Sequence, residues 1–253
     1  MLFRSPRGRE ITLRQLGGHL GGIRHYETRA EVVNTRHFAT VRESLQIFEH
    51  DPLIAQPGSK FAYSSYGYDV IGAALEAATG ETFRAVVRRA VLRPARLGQT
   101  TFAHAPAHDA STFYELTSDG GVRVAPPIDL SDRLPAGGLL STATDLARFG
   151  SSLVENTIVA PAAARTMFTA QRTRDGTATG YGIGFEIHPS PYGLFVGQTG
   201  AVDGGTAALL IHPPTRTVLA LATNLGYATA DSPPPPRPGT PDPPRILLPF
   251  IRG

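Results

Sequence analysis

Pro57-Gly58-Ser59-Lys60-Phe61-Ala62-Tyr63-Ser64-Ser65-Tyr66-Gly67-Tyr68 opens with a turn dipeptide and then delivers a tyrosine beside small polar side chains. Proline presets φ and glycine accepts a positive one, so Pro57-Gly58 breaks the chain direction. From Val70 the pattern turns helical: Val70, Ile71, Ala74, Leu75 and Ala78 share one face, and Gly80 is a natural left-handed terminator. A tyrosine on such a turn is a candidate general base or hydrogen-bond relay, because burial beside a cation lowers a phenol from its ordinary value of about 10. Taken alone, it is more often an interfacial core tyrosine with a bonded hydroxyl.

Working outward, Thr12 is the N-cap of a short helix that the cluster Gly17-Gly18-His19-Leu20-Gly21-Gly22 should end, with a loop entered at Gly21. Thr40-Val41-Arg42-Glu43 is a capping box, and Val41, Leu45 and Phe48 follow on one face. Thr82 caps a further helix with Phe83, Val86, Val87, Ala90 and Val91 as its apolar stripe, and Pro94 stops it. Residues 104–134 form a long excursion with a hairpin expected around Asp119-Gly120-Gly121. Thr142-Ala143-Thr144-Asp145 is a second capping box, opening a helix through Leu146, Phe149 and Leu153.

The period then changes. Tyr181 to Ile187, Leu194 to Val196, Thr206 to Ile211 and Thr217 to Thr223 are short runs rich in β-branched and aromatic residues. Pro189-Ser190-Pro191, Gly204-Gly205 and Pro213-Pro214 separate them, which predicts antiparallel strands joined by hairpins. A helical middle followed by a meander is an α+β arrangement. Ser232-Pro233-Pro234-Pro235-Pro236-Arg237-Pro238 is low in complexity, so the expected organisation is one domain over residues 1–229 and a proline-rich tail over 230–253.

Composition narrows the function. With 253 residues, 41% hydrophobic and 18% charged, the chain is ordinary globular protein. No run approaches the roughly 18 apolar residues of a membrane span. The absence of cysteine removes disulfides, zinc ribbons and cysteine nucleophiles, and leaves the compartment open. The formal charge is only +3, and Lys60 is the only lysine. The remaining basic residues are scattered arginines, so no nucleic-acid partner is expected. Met1 to Arg7 contains no apolar run of the kind that directs export.

Several constellations carry no chemistry. His19 and His25 lack the spacing that sets two ligands on one helix face, so they read as structural histidines; no metal and no cofactor are expected. Gly180-Tyr181-Gly182-Ile183-Gly184 reads as the close-packed opening of a strand, without the Gly-Lys-Ser/Thr of a phosphate loop. No Gly-x-Ser-x-Gly elbow occurs.

What remains is a spaced set: His19-Leu20-Gly21-Gly22-Ile23-Arg24-His25-Tyr26, Phe48-Glu49-His50-Asp51-Pro52-Leu53, the Pro57–Tyr68 stretch, Ala136-Gly137-Gly138-Leu139-Leu140-Ser141-Thr142, and Gln198-Thr199-Gly200. In order and spacing it resembles the serine β-lactamase and penicillin-binding-protein superfamily, in its class C-like branch with esterases and D-amino peptidases. The likeness covers roughly residues 11 to 225. It implies a β-lactamase/transpeptidase-like fold, an antiparallel sheet flanked by helices with a mostly helical subdomain. It also implies an acyl-serine hydrolase acting on a small ester, amide or peptide.

Such enzymes carry a Ser-x-x-Lys, a Tyr-x-Asn and a Lys-Thr-Gly or His-x-Gly motif. Tyr63-Ser64-Ser65 is similar to the second, with Ser65 in place of the usual asparagine. Gln198-Thr199-Gly200 is similar to the third, with glutamine in place of a cation or imidazole. By the same match the N–H of Ala201 is an oxyanion donor. No Ser-x-x-Lys exists in the chain, since Pro57 stands three positions before Lys60. The resemblance places that motif upstream of Ile11, so a shortened form, inactive alone, is expected, with an open sheet edge and exposed apolar surface. The alternative is a catalytically dead binding or assembly module, or a nonfunctional fragment. Gln198 further predicts poor hydrolysis of β-lactams, whose carboxylate it cannot pair as a cation would. Substrate, oligomeric state and compartment are left open, although relatives tend to be exported or mitochondrial.

Overall fold

Threonine hydroxyls open most of the helices. The computed structural model of the protein describes residues 11–103, 110–117 and 119–227. Helix α1 (Leu13–Gly17) begins at Thr12, whose hydroxyl accepts the Gln15 N–H while the Gln15 carboxamide oxygen accepts the Thr12 N–H. Thr28 and Glu31 repeat this reciprocal cap at α2 (Arg29–Val32). At α3 (Val41–Ser44) the expected box is half formed, because the Glu43 carboxylate accepts from Ala39 N–H rather than from Thr40. Helix α4 (Ser65–Thr79) starts five residues before its apolar stripe, at the Ser64 cap, and ends at Gly80 with φ 69°. Thr82 caps α5 (Phe83–Val87), which runs into one wide turn over Arg88–Leu92.

Strand β1 (Thr101–Phe102) is followed by β2 (Tyr114–Leu116) and β3 (Val122–Val124), the hairpin expected around Asp119-Gly120-Gly121. Next come α6 (Leu134–Gly137) and β4 (Leu139–Leu140), which pairs with β1. Thr142 caps α7 (Ala143–Val154), but the Asp145 carboxylate leaves the box and accepts from Gln99 N–H and the Thr100 hydroxyl. Aspartate is one methylene shorter than glutamate, and this carboxylate ties β1's approach to α7. Helix α8 (Pro161–Met167) precedes the main sheet.

That sheet is a four-stranded antiparallel meander of β5 (Glu186–Ser190), β6 (Gly193–Val202), β7 (Gly205–His212) and β8 (Thr217–Thr223). Two expectations shift. The first strand starts at Glu186, not Tyr181, and it runs through Pro189, which an edge strand tolerates. Residues 181–185 instead make a tight bend in which Gly182 lies against the Met167 carbonyl with no room for a side chain. In addition, β9 (Leu225–Tyr227) pairs in parallel with β2, where an antiparallel meander alone was expected.

Leu153, Phe168, Phe185, Val196, Leu209 and Ile211 form the core between α7, α8 and the sheet. A second cluster joins Val41, Phe83, Phe102 and Leu134, and a third Leu16, Ile23, Leu45, Phe48 and Tyr66. Each such side chain contributes about 1.5–3 kcal/mol. The outer strand β8 leaves Leu221 53% exposed. The proline-rich segment and Met1 to Arg7 lie outside the described residues.

Candidate functional site

Two segments far apart in sequence meet at residue 63. The loop 19–25 runs beside 54–65: Gly58 N–H donates to Leu20 O, Ile54 N–H to Gly22 O and Ala62 N–H to His19 O. Gly22 is required there, because it holds φ 75° and a Cβ would collide with the Ala55 carbonyl. Ser64 caps α4 by accepting Gly67 N–H at 3.0 Å, and its hydroxyl donates to Arg24 O at 2.6 Å. The tyrosine segment is therefore bound on one side by a helix start and on the other by the loop.

Tyr63 is half-buried. Its ring lies 4.2 Å from that of His19, tilted by 36°, and meets the edge of His25 at 5.4 Å. His19 is buried in an aromatic box completed by Phe61, Tyr68 and Tyr181, the last at 4.6 Å. The Tyr181 hydroxyl donates to Gln198 Oε1 at 3.1 Å, and that of Tyr68 to Gly17 O at 2.8 Å. A chain of contacts thus runs Tyr63, His19, Tyr181, Gln198, and joins the turn to strand β6. Burial, then the neighbouring phenols, push Tyr68 and Tyr181 well above the ordinary phenol range, so both are neutral.

The fold brings Tyr63 and Gln198 into one neighbourhood. Ser65 is turned toward the loop, its side chain hydrogen-bonded to the Tyr26 phenol. Gln198, Thr199, Gly200 and Ala201 pair with β7 only, because β5 ends at the Glu186–Gly197 pair. Their other backbone edge is left clear of β5, with Gly200 and Ala201 exposed. Lys60 is exposed as well. Among the described residues, no group of three or more histidine, aspartate or glutamate side chains is placed to hold a metal ion.

A charged network backs the site. Arg24 bridges Glu31 at 2.7 Å and Asp51 at 2.6 Å. Burial raises Glu31, but the Arg24 guanidinium and the N–H groups of Glu27 and Thr28 outweigh it and hold the carboxyl at about 2. Asp69, fully buried on α4, faces Asp132 and Arg133; burial and the Asp132 charge push it well up.

Sequence reasoning missed His19, Tyr68 and Tyr181 as parts of this site. His19 carried a signal, since it sits in the same glycine-flanked loop that marks the likeness. Tyr181 carried none, being set among glycines that read as strand packing.

A four-stranded antiparallel sheet backed by helices, with a tyrosine turn facing its second strand, is the α+β architecture of the β-lactamase/transpeptidase-like fold. The sequence profile of the Beta-lactamase family matches residues 2–237, and the chain belongs to that family. Human beta-lactamase-like 1 is 28% identical over 220 residues, covering 83% of this chain and 42% of that protein. The human mitochondrial serine beta-lactamase-like protein is 31% identical over 113 residues, covering 44% of this chain and 21% of its own length. The chain thus spans less than half of either relative. D-amino acid amidase from Ochrobactrum anthropi shares the fold at TM-score 0.75 and 20% identity, over 88% of this chain and 68% of the amidase. A D-stereospecific amidohydrolase from Streptomyces does so at TM-score 0.72 and 22% identity, over 87% and 69%. No helix among the described residues is long and apolar enough to cross a membrane.

Proposed function

We propose that this chain carries the tyrosine and strand portions of an acyl-serine hydrolase acting on small esters, amides or peptides. Tyr63 is the general base, and Ser65 tethers its segment. Gln198, Thr199 and Gly200 line the substrate cleft, and the Ala201 N–H donates to the oxyanion. The serine nucleophile and its lysine come from a Ser-x-x-Lys that these 253 residues do not contain. The observation that carries this reading is the contact chain from Tyr63 through His19 and Tyr181 to Gln198. Family membership supports it, and so do two neighbours in fold named as acting on amides.

The test is the intact mass and N-terminal peptide of the protein from its native cells, followed by assay on aryl esters and D- and L-amino acid amides. A species heavier than 26.9 kDa that carries Ser-x-x-Lys and forms an acyl adduct on its serine is the expected result. Tyr63→Phe should then lower turnover by about 10²–10⁴-fold. A mature 26.9 kDa species starting at Met1, with no adduct, overturns it.

One observation favours a second reading, a binding or assembly module without hydrolysis. Tyr68 and Tyr181, packed around His19 beside Tyr63, are both held neutral by burial, and these 253 residues contain no Ser-x-x-Lys to supply a nucleophile.

A further inference from the structure

The loop 19–25 meets the tyrosine segment through a run of acceptors. His19 O accepts Ala62 N–H at 2.9 Å, His19 Nδ1 accepts Ser64 N–H at 3.1 Å, and His25 Nδ1 accepts Ser65 N–H at 3.2 Å. Arg24 O accepts the Ser64 hydroxyl between them. The backbone N–H groups of Ala62, Ser64 and Ser65 are thereby fixed to the loop, and two of the three anchors are imidazole nitrogens. A backbone N–H always carries its proton, so each Nδ1 must be bare and each ring neutral, with its proton on Nε2. His19 holds this pose with a left-handed backbone, φ 55°, that an ordinary loop residue avoids.

We propose that His19 and His25 are positioning residues for Tyr63, a pair of imidazole latches that hold the 62–65 segment while neutral and release it when protonated. A protonated Nδ1 sets N–H against N–H, so the bond is replaced by a repulsion. The surroundings reinforce this. Around His19 stand the phenols of Tyr63, Tyr68 and Tyr181 with Phe61, a box that gives an imidazolium little solvation. Around His25 stand Tyr26, Tyr63 and Ser65, with the Arg24 guanidinium bonded to the His25 carbonyl and the Arg133 guanidinium over the Tyr26 ring. Glu31 and Asp51 counter Arg24, and Asp132 counters Arg133. The consequence for catalysis rests on Tyr63 being the base: the acid limb of the pH profile would then report the latch.

The latch is tested on the 253-residue chain by following the imidazole nitrogen shifts and the Ser64 and Ser65 amide exchange between pH 8 and pH 5. Exchange is corrected for its intrinsic pH dependence, and amides of the β6–β7 ladder serve as the folding control. The expected result is an Nε2–H tautomer at both rings, and at least tenfold loss of Ser64 protection as His19 titrates, with Ser65 following His25. His19→Asn places Oδ1 where Nδ1 stood, so it should keep Ser64 protected down to pH 5. His19→Gln moves the acceptor outward and should leave Ser64 unprotected throughout.

An Nδ1–H tautomer, or protection that is unchanged across the histidine titration in the wild-type chain, overturns the proposal even if both variants fail to fold. The link to catalysis is read separately in the native hydrolase. An acid limb that shifts in His19→Asn supports it. A limb that stays put while the amides respond refutes Tyr63 as the base and leaves the latch standing.

Discussion

Arg29 grips Asp203 with both terminal guanidinium nitrogens, at 3.2 and 2.6 Å, across a sequence separation of 174 residues. The carboxylate is 1% exposed and the arginine 36%, so the two ends of the pair differ in what they lose. Asp203 sits in the β6–β7 turn, just beyond the strand that presents Gln198 to Ala201. The bridge therefore clamps the helical half to the far end of that strand.

The asymmetry sets an expected order. Arg29→Ala removes two charge-assisted hydrogen bonds from a buried carboxylate and should cost about 3 kcal/mol. Asp203→Asn leaves an arginine that water can reach and should cost about 1 kcal/mol. Urea denaturation of both variants checks this; equal costs would show that burial of Asp203 is not what matters.

Glu31 fixes an acid sensitivity. Its folded pKa of about 2 lies below the ordinary 4.5, so its contribution is complete above 4.5 and is lost as pH falls toward 2. Glu31→Gln should make thermal stability fall less steeply between pH 4.5 and 2, and should cost about 1.5–3 kcal/mol at pH 7 by removing one of the two carboxylates that Arg24 bridges. Melting curves across that range measure both effects.

Asp69 has the opposite sign. Its carboxyl is fully buried, without a hydrogen-bond partner for either oxygen among the described residues, and burial followed by the Asp132 charge holds it well above the ordinary carboxylate range. The unfolded chain ionises it above about 3.9, so stability drains away as pH rises from there. Asp69→Asn removes that drain and should make the protein more stable than the parent at pH 7, with the gain vanishing below about pH 4. A variant less stable than the parent at pH 7 would show that the charged form is used.

Gly22→Ala should cost at least about 2 kcal/mol, from the left-handed φ and from the collision with the Ala55 carbonyl. Gly98→Ala, with open space around the Cβ position, is the matched control and should be near neutral. Denaturant midpoints of the pair suffice.

Much of this fold is written in local signals. Thr12, Thr40, Thr82 and Thr142 are all N-caps, Gly80 is the left-handed terminator of α4, and three of the four main-sheet strands lie where β-branched runs predict them. The failures share a cause, which is that a distant partner decided the outcome. Asp145 left its capping box for Gln99 and Thr100, Tyr181 joined an aromatic box rather than a strand, and Leu225–Tyr227 became a strand only by finding β2. At the candidate site, type and spacing single out Tyr63 and Gln198, which the fold links through His19 and Tyr181. His19 and His25 read as structural histidines, but which N–H each accepts leaves no pattern in sequence.

The parallel pairing of Tyr114 with Leu225 also sets a clock. Translation proceeds at roughly 5–20 residues per second, so β2 waits on the order of 5–20 s for its partner to be made. Through that interval Tyr114, Val122 and Val124, all exposed even in the finished fold, have only their own hairpin for company. A nascent chain of this protein is therefore vulnerable late in synthesis, and slowing the ribosome between these two strands should lower the soluble yield more than slowing it elsewhere.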